Sequence, residues 1–160
     1  MTKKNKILFH SNHSKAFTGF GKNCKNVLRY LASTGKYEIV EASNGFSKSN
    51  PTLSKMPWEC IGTLPDNPAR REQLSKDPNL AKSASYGHDT IDDIIKEVKP
   101  DIYIGAEDAW AFNKFWERKW WNRMECMIWT TIDSKPILPL AVELSEQTKH
   151  FYPWASFAEK

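Results

Sequence analysis

The chain has 160 residues, 40% of them apolar and 12% aromatic, which is enough for one real core and too few for two full domains. Its net charge of +4 is modest but uneven: Lys3, Lys4, Lys6, Lys15, Lys22, Lys25, Arg29 and Lys36 all precede the first acidic residue, Glu38, so this quarter either attracts an anionic partner or is a solvated surface. Three cysteines without CxxC spacing argue against a disulfide framework or structural zinc and suit a reducing cytoplasm; with no apolar run near the ~20 residues of a membrane span and a polar start unlike a signal peptide, a soluble cytoplasmic protein is expected.

Residues 6–11 (KILFHS) are a short apolar run bounded by polar residues and read as the first strand. From Gly19 the period changes: Phe20, Cys24, Val27, Leu28 and Leu31 share one helical face, and Gly35 supplies the stop. Residues 37–42 (YEIVEA) give a second strand, and this strand–helix–strand unit implies a parallel pair with a right-handed crossover. Ser, Asn, Lys and Pro crowd 43–57, which is expected to be a mobile excursion. A third strand at 58–64 follows, and 65–85 supports at most short helical pieces. The region 43–85 is thus the irregular part of a single Rossmann-like domain spanning 1–160.

Over 88–98, Ile91, Ile94, Ile95 and Val98 repeat helically, with Asp89 or Thr90 as N-cap and Pro100 as the end. Residues 101–105 then form a strand, 110–121 a helix, 126–131 a strand, 139–148 a helix with Pro139 in its first turn, and 149–152 a last strand. WASFAEK at 154–160 looks like the start of a further helix. Such alternation predicts an α/β fold with a doubly wound parallel sheet in three layers, whose ligands collect at the carboxyl ends of the strands. Asp108 and Asp133 each follow an apolar strand and are expected to face one crevice.

The first strand–helix connection reads SNHSKAFTGFGKN. Gly19 and Gly21, with Phe20 and Lys22, stand at the mouth of a helix, where free N–H groups and the helix dipole favour a phosphate; the two glycines also suit a plain tight turn. A dinucleotide fingerprint needs a small residue where Cys24 stands, and no Walker GK[ST] follows, so NAD is disfavoured although Glu41 occupies the usual place of a ribose-binding acid. Asp108 either caps the next helix or touches ligand. Asp133, in a loop stiffened by Pro136 and Pro139, is the candidate catalytic carboxylate, able to bind sugar hydroxyls or act as a base. Glu107 reads as solvated.

His10 and His13 flank the end of the first strand. A lone histidine is most often structural, but His13 is retained as a candidate substrate contact, and no His-x-x-x-His or Cys/His spacing suggests a metal. Trp110, Trp116, Trp120, Trp121 and Trp129 could stack on sugars or bases; equally, Phe112, Trp116 and Trp120 would share a helical face and fill core.

The TGFGKN loop, YGHDTIDDIIKEVKPDIYIGAEDAWAF, TTIDSKPILP and the closing YPWASFAEK together resemble the N-terminal half of GT-B glycosyltransferases of the large retaining "group 1" family. The resemblance spans nearly the whole chain and is weakest over 46–84. It implies a lobe that binds mainly the acceptor, facing a second Rossmann-like lobe that holds the nucleotide-sugar. Gly19, Phe20, Gly21 and Lys22 would lie against the donor diphosphate, with Asp108, Trp110 and Asp133 on the acceptor side. Relatives often have PIDG where this chain has TIDS, so the loop after Asp133 departs from their pattern.

The implied activity is sugar transfer from a nucleotide-sugar to a glycan or other acceptor, little or none of it by these 160 residues alone. No cofactor or metal is expected, and the second lobe would come from a partner chain or self-association would cover the exposed face. The alternative from composition is a non-enzymatic module that binds nucleic acid or a protein through the basic amino-terminal region.

Overall fold

The structure, a computed structural model, describes residues 3–154, so the expected helix beginning at 154–160 falls outside it from residue 155 onward. Six strands form one all-parallel sheet: β1 (Asn5–Asn12), β2 (Tyr37–Ser47), β3 (Glu59–Leu64), β4 (Ile102–Ala106), β5 (Glu125–Thr130) and β6 (His150–Pro153). Their order is β3-β2-β1-β4-β5-β6, so the winding reverses between β1 and β4. This is the Rossmann-like doubly wound arrangement, with its topological switch point at the carboxyl ends of those two strands.

The sheet is buried on both faces by different residues. On one face Ile7, Phe9, Ile39, Ile104 and Ala106 pack against Cys24 and Leu28 of α1 (Gly19–Ser33). On the other, Leu8, Val40, Ile61, Tyr103 and Ile128 meet α4 (Ile91–Val98) and α5 (Pro139–Glu146). Between them in the chain, α2 (Pro68–Lys76) and α3 (Pro78–Ser85) are the short helical pieces expected over 65–85.

Local chemistry sets the element ends. The Thr18 hydroxyl accepts from the Gly21 N–H and starts α1, and Gly35, at φ +63°, takes the left-handed turn after it. In α4, Ile91, Ile94, Ile95 and Val98 are all buried, each contributing roughly 1.5–3 kcal/mol of hydrophobic burial. Thr90 is its N-cap, without a side-chain bond to the helix, and Lys99 closes it at φ 50° just before Pro100.

Three expectations are corrected. Residues 43–57 are not a mobile excursion: β2 runs on to Ser47 and a 3₁₀ turn occupies Pro51–Lys55. The polar side chains that read as loop are paired inside the fold, Ser43 with Glu41 and Asn44 with His10 and Glu107. Residues 110–121 are not one helix but part of three 3₁₀ turns, Ala109–Phe112, Phe115–Glu117 and Trp121–Arg123, interrupted by Lys114 at φ 61°. That break turns Phe115 inward, where Trp116 was expected, and Phe112, Phe115, Trp120 and Trp121 fill core. Third, Glu107 is not solvated but buried. Among the described residues no helix is long and apolar enough to cross a membrane.

Candidate functional site

Because every strand runs the same way, the β1–α1, β4 and β5 loops emerge at one edge of the sheet. Between the last two lies a pocket of about 180 Å³ that brings Asp108, Trp110 and Asp133 together with Thr131, Ile137 and Leu138. Asp108 does not cap the turn that follows it; its Oδ1 accepts from the Thr131 hydroxyl, which ties the β4 loop to the β5 loop. Trp110 is half-buried, with the Tyr86 ring edge-on at 4.7 Å and Lys82 Nζ 4.0 Å from its ring centroid. Asp133 is exposed, and the apolar side chains of Ile137 and Leu138 stand beside it, also exposed. Two carboxylates, a hydroxyl and a tryptophan next to a small apolar wall can take a polyhydroxylated ring, using the carboxylates as hydrogen-bond acceptors.

The glycine loop contributes differently. A Cβ on Gly21 would run into the Ala16 carbonyl oxygen and lie 3.0 Å from that of His13, so this glycine lets the helix start close under its own loop. Gly19 has open space around it and is exposed, as is Lys22. The Phe20 ring packs on Trp154 at 4.7 Å, and Trp154 packs on Trp129. None of Gly19, Phe20, Gly21 and Lys22 lines the pocket of Asp108 and Asp133. Cys24, which stands where a dinucleotide fingerprint needs a small residue, is buried, and its Sγ lies 3.0 Å from Ser11 Oγ. Since that hydroxyl donates to the Ala106 carbonyl, the thiol is the donor to Ser11; burial pushes its pKa up to about 12 and keeps it inert.

At the switch point itself sits Glu107. Its Oε1 accepts from the Asn12 backbone N–H at 2.7 Å and from Asn44 Nδ2 at 3.1 Å. Asn44 Oδ1 in turn meets His10 Nε2, and His10 Nδ1 meets the Tyr103 hydroxyl, each at 2.7 Å. Donor accounting fixes the order: Tyr103 O–H donates to Nδ1, Nε2–H donates to Asn44, and the Asn44 amide donates to Glu107. Burial brings His10 down to about 4, so it is neutral in this chain, and burial raises Glu107 to about 7 against the donors from Asn44 and Asn12. A carboxyl that titrates near neutrality therefore stands next to Asp108 in the chain, where a proton can be held or released. The sequence offered no local signal for it, since both of its partners come from other strands.

His13 is also inside the molecule, 1% exposed, with Nδ1 2.8 Å from Glu41 Oε1. Glu41 is fully buried and likewise faces inward, far from a ribose-binding role. The basic amino-terminal quarter is partly engaged: Lys6 pairs with Glu38 at 2.8 Å, and Lys15 donates to the Lys55 carbonyl.

The chain matches no family model and no curated protein.

Proposed function

We propose that this chain is the N-terminal, acceptor-binding lobe of a GT-B retaining glycosyltransferase. The observation that carries the reading is the pocket at the ends of β4 and β5 in which Asp108, Trp110 and Asp133 converge. At about 180 Å³ it lies below the ~300 Å³ at which whole-ligand sites begin, so it suits one sugar ring of an acceptor rather than a complete nucleotide-sugar. Asp108, held by Thr131, fixes the ring through its hydroxyls, and Trp110 offers an apolar wall to its C–H face. Asp133, exposed at the rim, accepts the proton of the attacking acceptor hydroxyl. That oxygen forms the new bond to the anomeric carbon on the same face from which the diphosphate departs, as retention requires, while the old bond to the diphosphate breaks and its electron pair leaves on phosphate. Lys22 and the start of α1, exposed at the same strand-end edge, would offset the leaving charge of the donor. Closure of the donor-binding lobe would align the reactants and exclude water.

The test has two arms. Incubated with nucleotide-sugars and glycan acceptors, these 160 residues are expected to bind glycan saturably and to show little or no transfer. Robust turnover by the chain alone, or polynucleotide binding with a steep salt dependence in place of glycan binding, would refute the assignment.

A further inference from the structure

On the other side of β1 from the pocket, three chemically different ligand groups meet inside the fold. The β2–β3 register places Glu41 directly beside Cys60 on the sheet face that carries α1, and the loop after β1 brings His13 over both. One ring nitrogen of His13, one carboxylate oxygen of Glu41 and the Cys60 sulfur all lie within 4.8 Å of one another. The individual approaches are 2.8 Å from His13 Nδ1 to Glu41 Oε1 and 3.5 Å from Cys60 Sγ to Glu41 Oε2. A tetrahedral ion with bonds of about 2.0–2.3 Å needs its ligand atoms roughly 3.3–3.7 Å apart, so His13 and Glu41 would open by a few tenths of an ångström and Cys60 would close toward the imidazole by up to about 1 Å.

The surroundings fit a ligand set. Glu41 is oriented by the Ser14 N–H at 2.7 Å, the Ser14 hydroxyl at 2.9 Å and Trp58 Nε1 at 2.6 Å, the outer hydrogen bonds that hold a coordinating carboxylate in place. His13 is 1% exposed, and its Nδ1, the ring nitrogen turned toward Glu41, also lies 3.2 Å from the Ser43 hydroxyl, so the nitrogen that would bind the ion is held in place by its neighbours. Cys60 is half-buried and lines a separate pocket of about 430 Å³ with Trp58, Asn50 and Ser54, which gives an ion a route from solvent and leaves room for a water.

We propose that His13, Glu41 and Cys60 form a binding site for a thiophilic divalent cation, Zn²⁺ by preference. One nitrogen, one oxygen and one sulfur ligand select a borderline-soft ion over Mg²⁺ or Ca²⁺. Binding replaces the Cys60 thiol proton, which leaves to solvent, and the thiolate and carboxylate then neutralise the cation's two charges, as a buried site requires. This site is independent of the sugar-binding reading, since the two pockets share no lining residue.

The test is a titration of the metal-stripped, reduced 160-residue chain with Co²⁺, whose thiolate charge-transfer and tetrahedral d–d bands report both the sulfur and the geometry. Saturation at one equivalent is expected, with the bands displaced by Zn²⁺. Cys60→Ser should abolish the charge-transfer band and weaken binding at least tenfold, while Cys24→Ser keeps both; circular dichroism checks that each variant is folded. Absence of a thiolate band at stoichiometric Co²⁺, or a band that survives in Cys60→Ser, would overturn the site and leave the trio as a buried hydrogen-bonded cluster.

Discussion

Glu107→Gln tests the interior of the site without relying on any ligand. In the folded chain Glu107 titrates near 7, because burial outweighs the hydrogen bonds it accepts from Asn44 and Asn12; in the unfolded chain an ordinary Glu carboxyl titrates near 4.5. Between those values the folded state holds a proton that the unfolded state has lost, so rising pH pulls the equilibrium toward unfolding. The contribution is complete below about 4.5 and is lost as pH rises through about 7. At 1.36 kcal/mol per pH unit the gap corresponds to about 3 kcal/mol. Glutamine keeps the acceptor for Asn12 and Asn44 but cannot ionise. Urea unfolding followed by tryptophan fluorescence at pH 4.5, 6, 7 and 8 should therefore show the variant gaining on the wild type by about 3 kcal/mol from the lowest pH to the highest. Taking the difference cancels His10 and His88, whose burial lowers their pKa values and makes stability rise with pH. A difference that stays flat to within about 0.5 kcal/mol across that range would refute the buried, neutral carboxyl.

Two further substitutions probe what positions the site. Gly105→Ala in β4 should cost about 1–3 kcal/mol, read as a lower denaturant midpoint, because its Cβ would stand 2.6 Å from the buried Phe112 ring and 2.9 Å from Ile128; a neutral change would mean that this packing is looser than described. Glu41→Gln should cost about 3–5 kcal/mol at pH 7, since the amide turns a donor toward groups that already donate, whereas exposed Glu146→Gln should stay within about 0.5 kcal/mol. Burial opposes ionisation of Glu41, but bonds from His13, Trp58 and Ser14 together hold its pKa below the ordinary value, so its contribution is lost only as pH falls into the acid range.

What could be read from the sequence was what local pattern controls. Each of the six strands carries a short apolar stretch bounded by polar or turn residues, and α1 and α4 carry one unbroken apolar stripe each. The Trp-rich segment defeated that reasoning because aromatic residues three and four apart fit both a 3.6-residue and a 3.0-residue period. Packing chose the tighter turns and put Phe115 in the core. Ser43 and Asn44 looked like loop because their partners, His10, Glu41 and Glu107, are far away in the chain or hidden by the register. Glu107 and the His13–Glu41–Cys60 group were missed for the same reason: parallel pairing of β1, β2, β3 and β4 creates them, and a single sequence does not display register. That Asp108 and Asp133 share one pocket was legible because each follows a strand end, where the fold class alone brings loops together, whereas Trp110 was set beside them only by the family resemblance.

The most direct test of the acceptor-lobe account is a backbone-amide NMR titration of the ¹⁵N-labelled chain with a panel of oligosaccharides, and separately with polynucleotide. The account predicts saturable glycan-dependent shifts centred on Asp108, Trp110, Thr131 and Asp133, absent in an Asp108→Asn/Asp133→Asn variant that keeps the wild-type fold. Spectra unmoved by every glycan, or shifts confined to Lys15, Lys22, Lys25 and Arg29 on adding polynucleotide, would contradict it.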